Sequence, residues 1–396
     1  MSGGVSRYAE VRQDGGDRIG EGADPPAPAF VAALAGLSGM GPVRLRALLA
    51  ASAPEQAWRS VLAGRAHLHP GLVGVTRGVD AALSGRWRAE ARRVDVAGHW
   101  KAHADAGVGV KVKGDDGFPL PLLEDPESPA VLFHVGSLEV LEGPRVAVVG
   151  TRRCTAAGRA TARELGHDLA AAGVCVVSGL AAGIDGEAHL GALAAASAAP
   201  AAVVATGLDV VYPRSNVALW RRVATSGCVL SEYPLGTRPE RWRFPARNRI
   251  IAALADVVVV VESHARGGSL HTVDAALERD RPVMVVPGPV RSPASAGTND
   301  LLAAGSPPVR DAADVLVALG LDAAAASRGR AAPRSPSEPF AAGVLEAFGW
   351  QPATIEQLAV RLGEPLGRLA VELAGLEHEG WLMRTGSWYE RTVPPR

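Results

Sequence analysis

Arginines and aromatic residues alternate along residues 241–249, which read RWRFPARNR. An arginine neutralises a phosphate, and an aromatic ring stacks on an unpaired base. We expect Arg243, Phe244, Arg247 and Asn248 to contact a nucleic-acid strand, with Asn248 hydrogen-bonding a base edge or a backbone group. The pattern suits a loop that follows a single strand, because a duplex reader would need a helix for the major groove. The alternative is a loop that packs Phe244 and leaves its arginines in solvent.

A glycine turn follows the strand-like segment RVAVV, and an arginine stands inside that turn. In VVGTRRC, residues 148–154, Arg152 occupies the place where the dinucleotide fingerprint GxGxxG requires a second glycine. A large cation there argues against a bound dinucleotide. It predicts that Gly150, Thr151 and Arg152 contact a phosphate directly. The alternative is an Arg152 that pairs with a nearby carboxylate.

Two more turns combine small residues with the start of a helix. They are SGLAAGID, with Ser178, Gly179 and Gly183, and a later turn with Gly267, Gly268 and Ser269. Small residues at a strand end leave backbone N–H groups open to a ligand, and a helix N-terminus favours an anion. We therefore expect three anion-binding turns on one edge of the fold.

Candidates for catalysis are few. Asp185 falls in the first turn of a helix, where it complements the helix dipole, and His189 lies four residues later on the same face. His189 is the candidate for a general base, but no serine, cysteine or carboxylate partner is evident for it. We favour the interpretation of His189 as a hydrogen-bonded structural residue. We predict no catalytic residue, no cofactor and no metal site.

The composition sets limits on location and partners. Lys+Arg and Asp+Glu both number 41, so any nucleic-acid surface must come from local clustering of charge. The cysteines Cys154, Cys175 and Cys228 lack metal-binding spacing and fit a reducing cytoplasm. No apolar run is long enough to span a bilayer, and the N-terminus lacks the layout of a secretion signal. We expect a cytoplasmic protein without a membrane partner.

A repeating strand–helix pattern must position these turns. Val-rich strands that do not alternate are predicted at 145–149, 174–178, 202–206, 228–231, 256–261 and 283–286. Helices are predicted at about 157–172, 183–197, 214–226, 246–254, 269–279 and 296–304. Such strands are buried on both faces, so the predicted fold class is α/β, with a Rossmann-like, doubly wound, mostly parallel sheet. Ligands of these sheets bind at the carboxyl ends of the strands.

The segments on either side of this pattern differ from it in composition. We predict a disordered tail at 1–28, a helical domain at 29–107, the Rossmann-like DNA-binding domain at 108–320, a linker at 321–339 and a winged helix at 340–396. Within the Rossmann-like domain, the alternating segment VGVKVKGDDGFP predicts a strand that ends in a turn. The segment VLFHVG is predicted as an edge strand, because its surroundings are rich in proline.

The two flanking domains carry their own signals. The helical domain contains two helices within 31–50, broken at LSGMGP, and one long amphipathic helix at 86–106. The break resembles the phosphate-binding turn of helix-hairpin-helix modules, but we favour a plain packing hairpin. In the winged helix, a capping box of Thr354 and Gln357 opens the second helix, and a hairpin follows at 381–391. Its third helix has few basic residues, so we favour protein docking over DNA binding.

The order of the motifs is similar to that of a known family. From about Phe118 to Leu316 the chain resembles the bacterial DNA-processing protein A family, also called DprA or Smf. The resemblance rests on VVGTR, SGLAAGID, GLDVVYP, SEYPLG, FPARNRII, the GGSL turn, VPGPV and GTNDLLAAG. It implies a Rossmann-like core that binds single-stranded DNA, a homodimer, and loading of the RecA recombinase onto incoming DNA during natural transformation.

The resemblance also implies roles for particular residues. By motif position, Arg152 and the Ser178–Gly179 turn face the DNA backbone, and the pocket for a base is lined by Phe244, Arg247 and Asn248. One departure matters, because many relatives carry a lysine where this chain has Ala182. A phosphate contact is either missing there or supplied by Arg153 or by an arginine of 241–249.

Two other functions compete with strand binding. The first is a nucleotide-processing enzyme of the lysine-decarboxylase-like phosphoribohydrolase type, because the predicted core resembles the broader nucleotide-binding group that includes those enzymes. They carry a PGGxGTxxE turn with a catalytic glutamate. The similar stretch here, ARGGSLHTVDAAL, lacks the proline and offers Asp274 in place of the glutamate, which weighs against hydrolysis. The second is a scaffold with a vestigial pocket that binds its partners through the winged helix.

Overall fold

The computed structural model describes residues 24–74, 78–195, 197–322, 338–349 and 351–392. The predicted tail at 1–28 lies outside this part of the chain up to residue 23. The predicted linker at 321–339 lies outside it from residue 323 to residue 337. Within the described ranges, no helix is both long enough and apolar enough to cross a bilayer.

The N-terminal region is a bundle of short helices. They are α1 (Ala27–Ala35), α2 (Pro42–Ala50), α3 (Pro54–Leu62), α4 (Ala81–Ala91) and α5 (Val96–Asp105). The predicted break at LSGMGP is confirmed between α1 and α2, whereas the single helix predicted at 86–106 is wrong. The chain leaves the helix after α4 because Asp95 takes the N-cap position of α5 in an extended conformation. The Asp95 carboxylate lies 2.5 Å from where a Cβ on Gly98 would be, beside the first turn of α5.

An eight-stranded sheet forms the centre of the molecule, in the spatial order β1-β2-β6-β5-β4-β3-β7-β8. Its strands are β1 (Gly109–Val112), β2 (Val131–Gly136), β3 (Arg145–Val149), β4 (Cys175–Ser178), β5 (Ala201–Val204), β6 (Cys228–Ser231), β7 (Val257–Val260) and β8 (Val283–Val285). Strands β3 to β8 are parallel, and β1 and β2 add antiparallel strands at one side. The predicted Rossmann-like, mostly parallel sheet is confirmed.

The prediction that VLFHVG forms an edge strand is wrong. This segment is β2, which pairs with β1 on one side and with β6 on the other. Val131, Leu132 and Phe133 are fully buried. The prolines that suggested an edge precede the strand, between residues 119 and 129, so they remove no hydrogen bond from it. The edge position belongs to β1.

Helices cover both faces of the sheet. They are α6 (Leu120–Leu123), α7 (Ala156–Ala171), α8 (Ile184–Ala192), α9 (Val217–Ser226), α10 (Arg243–Leu254), α11 (Leu270–Leu277), α12 (Ala296–Ala303) and α13 (Ala312–Ala318). The helix predicted at about 246–254 is confirmed but begins three residues earlier, so residues 243–249, which were expected on a loop, are helical. Pro245 is compatible with this, since a proline in the first turn lacks an N–H that would be unpaired there anyway.

The core explains why α10 and α7 are fixed to the sheet. Ala147 of β3 packs with Ile250 of α10 on one face. Its neighbour Val148 points to the opposite face and packs with Leu165 of α7. The N-terminal helices extend the core, because Trp87 of α4 belongs to the same apolar cluster as residues of β2 and α9. Each strand of the centre is therefore buried on both faces, as its Val-rich sequence predicts.

The C-terminal region is a winged helix with its own core. Its elements are α14 (Pro339–Phe348), β9 (Ala353–Thr354), α15 (Ile355–Leu362), α16 (Leu366–His378), β10 (Leu382–Thr385) and β11 (Trp388–Arg391). The predicted capping box is confirmed, since the Gln357 N–H donates to the Thr354 hydroxyl and the Thr354 N–H donates to the Gln357 side chain. The hairpin of β10 and β11 is also confirmed. The short strand β9, which pairs with β11, is an addition to the prediction.

Candidate nucleic-acid interface

Three turns meet at the carboxyl edge of the sheet. The first turn (150–155) follows β3, the second turn (179–183) follows β4, and the third turn (261–269) follows β7. The Thr151 N–H donates to the Glu262 carbonyl oxygen at 2.8 Å, and the Ile184 N–H donates to the Thr151 carbonyl oxygen at 3.3 Å. Main-chain hydrogen bonds thus fix the second and third turns on either side of the first.

The N-terminus of α7 holds a carboxylate of the protein itself. Glu262 is buried, and its carboxylate accepts the Thr155 N–H at 2.9 Å and the Thr155 hydroxyl at 2.6 Å. Glycine at position 158 leaves room for it, because a Cβ there would lie 2.4 Å from the Glu262 Cδ. In a dinucleotide-binding fold the pyrophosphate takes this place. Glu262 therefore blocks a dinucleotide phosphate at the first turn, in agreement with Arg152 replacing the second glycine of the fingerprint.

The helix start after the second turn is closed in the same way. Asp185 is buried in the first turn of α8, and its Oδ2 accepts the Gly179 N–H at 3.2 Å. Burial raises the pKa of Asp185, and the positive charge of Arg247 opposes that shift. The expectation that the helix starts of the first and second turns are open to an external anion is therefore wrong. Each holds a buried carboxylate that satisfies the helix dipole from within.

Arg247 lies beneath the second turn, on the inner face of α10. Its guanidinium donates to the carbonyl oxygen of Gly179 at 3.0 Å and also to that of Val203, and only 5% of the residue is exposed. A Cβ on Gly179 would lie 2.5 Å from a guanidinium nitrogen, so the glycine is needed for this approach. Burial lowers the pKa of Arg247 to about 10, although Asp185 raises it, so the side chain is charged at neutral pH. Arg247 holds the turn from inside, and its contact with DNA stays a prediction.

His189 lies in the same buried layer. It is fully buried on α8, and burial lowers its pKa to about 3, with an opposing contribution from the Ser178 main chain. The Ser178 main chain is a polar neighbour of the ring, but neither ring nitrogen makes a hydrogen bond of normal geometry to a described residue, so the hydrogen-bonded structural role stays a prediction. A neutral imidazole sealed from solvent does not reach a ligand at this edge. The competing candidate Asp274 is exposed on α11.

An open surface lies outside this buried layer. The guanidinium carbon of Arg152 lies 4.9 Å from the centroid of the Phe244 ring, and the Phe244 ring lies 5.5 Å from the ring of Tyr212. Arg152 is exposed, and 43% of Tyr212 is exposed. We call Arg152, Phe244 and Tyr212 the Arg152 platform. A cation beside two aromatic rings offers a phosphate contact and faces on which bases can stack.

Sequence reasoning misses Tyr212. It lies in GLDVVYP, in the loop that follows β5. The signal that could have revealed it is an aromatic residue beside a proline at the ligand-binding edge of the sheet. Arg214, two residues later, is also exposed and forms no ion pair with any residue that the structure describes.

Two other residues of α10 engage neighbours. Arg243 lies over the rings of Tyr233 and Trp242, with its guanidinium carbon 5.0 Å from each centroid, and it pairs with Glu240 at 3.0 Å. Asn248 donates to the Gly268 carbonyl oxygen at 3.4 Å, which joins α10 to the third turn. Their contacts with DNA stay predictions.

The small residues of the turns also have defined places. The Ser178 hydroxyl is buried and donates to the Val148 carbonyl oxygen at 2.6 Å, and the buried Ser269 hydroxyl donates to Ser263 at 2.9 Å. Gly268 is exposed in the third turn. Three other predicted contacts, Gly150, Thr151 and Gly183, are partly exposed. In the described part of the chain, no three metal-ligating side chains come together.

Comparisons with known proteins identify the chain. Residues 110–320 match the family model of DNA recombination-mediator protein A, and residues 328–386 match the DprA winged helix domain. The chain belongs to the DprA family. The predicted family and the predicted combination of a Rossmann-like core with a C-terminal winged helix are therefore confirmed.

Relatives within the family are similar over most of their length. The DNA processing protein DprA of Streptococcus pneumoniae is 42% identical over 202 residues, which cover 51% of this chain and 71% of that protein. A putative DprA of Mycobacterium tuberculosis is 42% identical over 277 residues, covering 66% of this chain and 68% of that protein. The X-ray structure of the Streptococcus pneumoniae protein superposes with a TM-score of 0.61 at 31% identity, covering 74% of this chain and 98% of that structure.

Proposed function

We propose that this protein binds single-stranded DNA in the cytoplasm without catalysing a reaction on it. In this role it protects incoming DNA and loads the RecA recombinase during natural transformation and homologous recombination. The observation that carries the proposal is the Arg152 platform, in which an exposed arginine lies against Phe244 beside Tyr212. This chemistry suits a flexible strand, whose phosphates meet the arginine and whose bases stack on the rings.

The buried layer supports a strand over a mononucleotide. The helix starts that would cradle a nucleotide phosphate hold Glu262 and Asp185 instead. Backbone cradling at these turns is thus replaced by an arginine side chain on the surface. A side-chain contact of this kind tolerates any sequence and any register along a strand. The phosphoribohydrolase alternative gains no support, because Asp274 is exposed, whereas these two carboxylates are buried.

The winged helix supports a docking role. Its helix α16 occupies the place of a recognition helix, yet it carries one arginine, Arg368, against the glutamates Glu372 and Glu377. Arg368 pairs with Glu364 at 3.0 Å and lies over the Phe340 ring. A duplex-binding helix needs free cations for the phosphates. We therefore propose that the winged helix binds a protein, and that the protein forms a homodimer and binds RecA.

The proposal is tested by titrating oligothymidine and a duplex of equal length at several salt concentrations. We expect tighter binding to the single strand, and an affinity that falls steeply with salt because counterions are released. Equal affinity for the duplex, or an affinity independent of salt, would contradict the proposal.

RecA loading needs its own assay, in which RecA hydrolyses ATP on DNA already covered by single-strand binding protein. We expect this protein to shorten the lag before hydrolysis. An unchanged lag, with normal binding of oligothymidine, would contradict the loading step alone.

A further inference from the structure

A cavity of about 380 Å³ opens beside the second turn, between α8 and α9. Two arginines line it, Arg159 from the first turn of α7 and Arg222 from α9. Other residues on its wall include Ser215, Asn216, Leu190 and Leu219. Its volume lies within the range of small-ligand sites.

The arginines of this cavity differ from Arg247 and Arg249 of α10. Arg247 is buried and hydrogen-bonded, and Arg249 pairs with Glu232 at 2.6 Å. Arg159 and Arg222 are exposed, and neither makes a hydrogen bond or an ion pair through its side chain to any described residue. They are therefore available to an anion from solution.

One acidic residue also lines the cavity. Glu187 contributes to the wall, but its carboxylate accepts two hydrogen bonds from Arg163, at 3.0 and 2.5 Å. Its charge is thus matched by a cation outside the cavity. The net charge of the side chains that line the cavity is positive, because Arg159 and Arg222 have no such partner.

Part of the cavity lining is apolar. Leu190, Leu219, Ala182 and Ala218 contribute hydrocarbon surface. Ala182 offers only a methyl group, so any contact with a phosphate here would be made by Arg159 and Arg222. A lining that combines arginine side chains with apolar surface matches a nucleotide unit, which carries a phosphate beside a sugar and a flat base.

Asn216 fixes the cavity to the second turn. Its amide N–H groups donate to the carbonyl oxygens of Leu180 and Ala181 at 3.0 and 3.2 Å. Its side-chain oxygen accepts the Ser215 hydroxyl at 3.2 Å. The wall formed by the loop after β5 is therefore tied by hydrogen bonds to the wall formed by the second turn.

The cavity adjoins the main chain of the first turn, which carries Arg152. Gly183 lines the cavity, and a Cβ on it would lie 2.4 Å from the Thr151 carbonyl oxygen and 2.9 Å from the Arg152 Cα. The main chain of the first turn thus lies directly against this wall. The cavity therefore lies beside the main chain of the residue that carries the cation of the platform.

We propose that the cavity binds a further nucleotide unit of the single strand held at the Arg152 platform. Arg159 and Arg222 contact its phosphate, and Leu190 and Leu219 contact its sugar or base. This inference rests on the proposed function and extends the binding surface along the strand from the first turn towards α9.

The test compares the variant Arg159→Gln/Arg222→Gln with the wild-type protein on oligothymidines of about 6 and about 16 nucleotides. We expect the variant to bind the longer strand about 10-fold more weakly, since charged hydrogen bonds are lost, and the shorter strand with unchanged affinity. The slope of log affinity against log salt for the longer strand becomes shallower by about 0.7, the value for the one single-strand phosphate that both arginines contact. Equal affinity of variant and wild type for the longer strand would overturn the inference.

A matched control carries the same change of charge elsewhere. Arg86→Gln/Arg221→Gln removes two exposed arginines, one of them adjacent to Arg222 on α9, and neither lines the cavity. We expect this control to bind both strands like the wild type. An equal loss in the control, or an equal loss on both lengths in the test variant, would assign the effect to net charge and overturn the inference. If the wild type binds neither strand, the proposed function itself fails.

Free thymidine monophosphate separates a strand site from a mononucleotide site. We expect it, at millimolar concentration, to leave the affinity of the wild type for the longer strand unchanged. Displacement of that strand from the wild type, without displacement from the Arg159→Gln/Arg222→Gln variant, would show that the cavity takes free nucleotides and overturn its assignment to the strand.

Discussion

Arg152 and Arg247 have the same side chain and the same predicted partner, yet they belong to different layers of one edge of the sheet. Arg152 is exposed and lies on the Phe244 ring. Arg247 is buried beneath the second turn, next to Asp185, and donates to two main-chain carbonyl oxygens. The comparison shows that arginines of one binding surface divide between holding the turns and meeting the ligand. Exposure, which sequence does not reveal, decides which role each arginine takes.

The largest effect is expected from removing the buried arginine. Arg247→Ala leaves the Asp185 carboxylate buried without its cation and two carbonyl groups without a donor, so we expect a loss of about 3–5 kcal/mol in the free energy of unfolding. Urea denaturation followed by tryptophan fluorescence measures this loss. Arg152→Ala serves as the matched control, with an expected change within about 0.5 kcal/mol. Equal denaturation midpoints for the two variants would contradict the claim that Arg247 stabilises the fold and Arg152 does not.

A second effect of the buried layer depends on pH. The pKa of His189 is about 3 in the folded protein and close to 6.5 when unfolded, so only the unfolded state takes up a proton as the pH falls below 6.5. His189 thus lowers stability as the pH falls, by about 2 kcal/mol between pH 6.5 and pH 5.

The variant His189→Gln isolates this contribution. We expect its stability to fall less steeply over the same pH range, while the remaining slope comes from other histidines such as the half-buried His99, whose pKa is lowered to about 4 by partial burial. Denaturation curves of both proteins at pH 7, 6 and 5 measure the difference. Parallel stability profiles would show that His189 is not protected from protons in the folded state.

The two layers also mark what could be predicted from the sequence. The strands and turns follow from Val-rich runs and glycines, and the position of Arg152 in place of a glycine already excludes a dinucleotide. The contact of Glu262 with Thr155 joins residues 107 positions apart, so no local pattern indicates it. Arg247 is buried against the carbonyl oxygens of Gly179 and Val203, which lie 68 and 44 positions away in the chain, so no local pattern indicates its burial either.

In the exposed layer, Phe244 is expected to contribute most to binding. Phe244→Ala removes the ring between Arg152 and Tyr212, so we expect the affinity for oligothymidine to fall by about 1–3 kcal/mol as stacking is lost. Fluorescence anisotropy with a labelled strand measures it. Trp242→Ala is the control. Trp242 lies two residues before Phe244 and is 51% exposed, but it is not part of the Arg152 platform. A similar loss in both variants would mean that the surface binds through general aromatic content instead of through the platform.

The smallest effect is expected at the residue that first distinguished this edge from a nucleotide site. Arg152→Ala removes one exposed phosphate contact, which is worth about 1 kcal/mol. The slope of log affinity against log salt becomes shallower by about 0.7, the value for one phosphate of a single strand. Arg153→Ala is the matched control, because Arg153 is the adjacent exposed arginine and no ring contact places it on the platform. If both variants change the salt dependence equally, the DNA phosphate is attracted by the total charge of the first turn. The contact between Arg152 and Phe244 would then not determine where the phosphate binds.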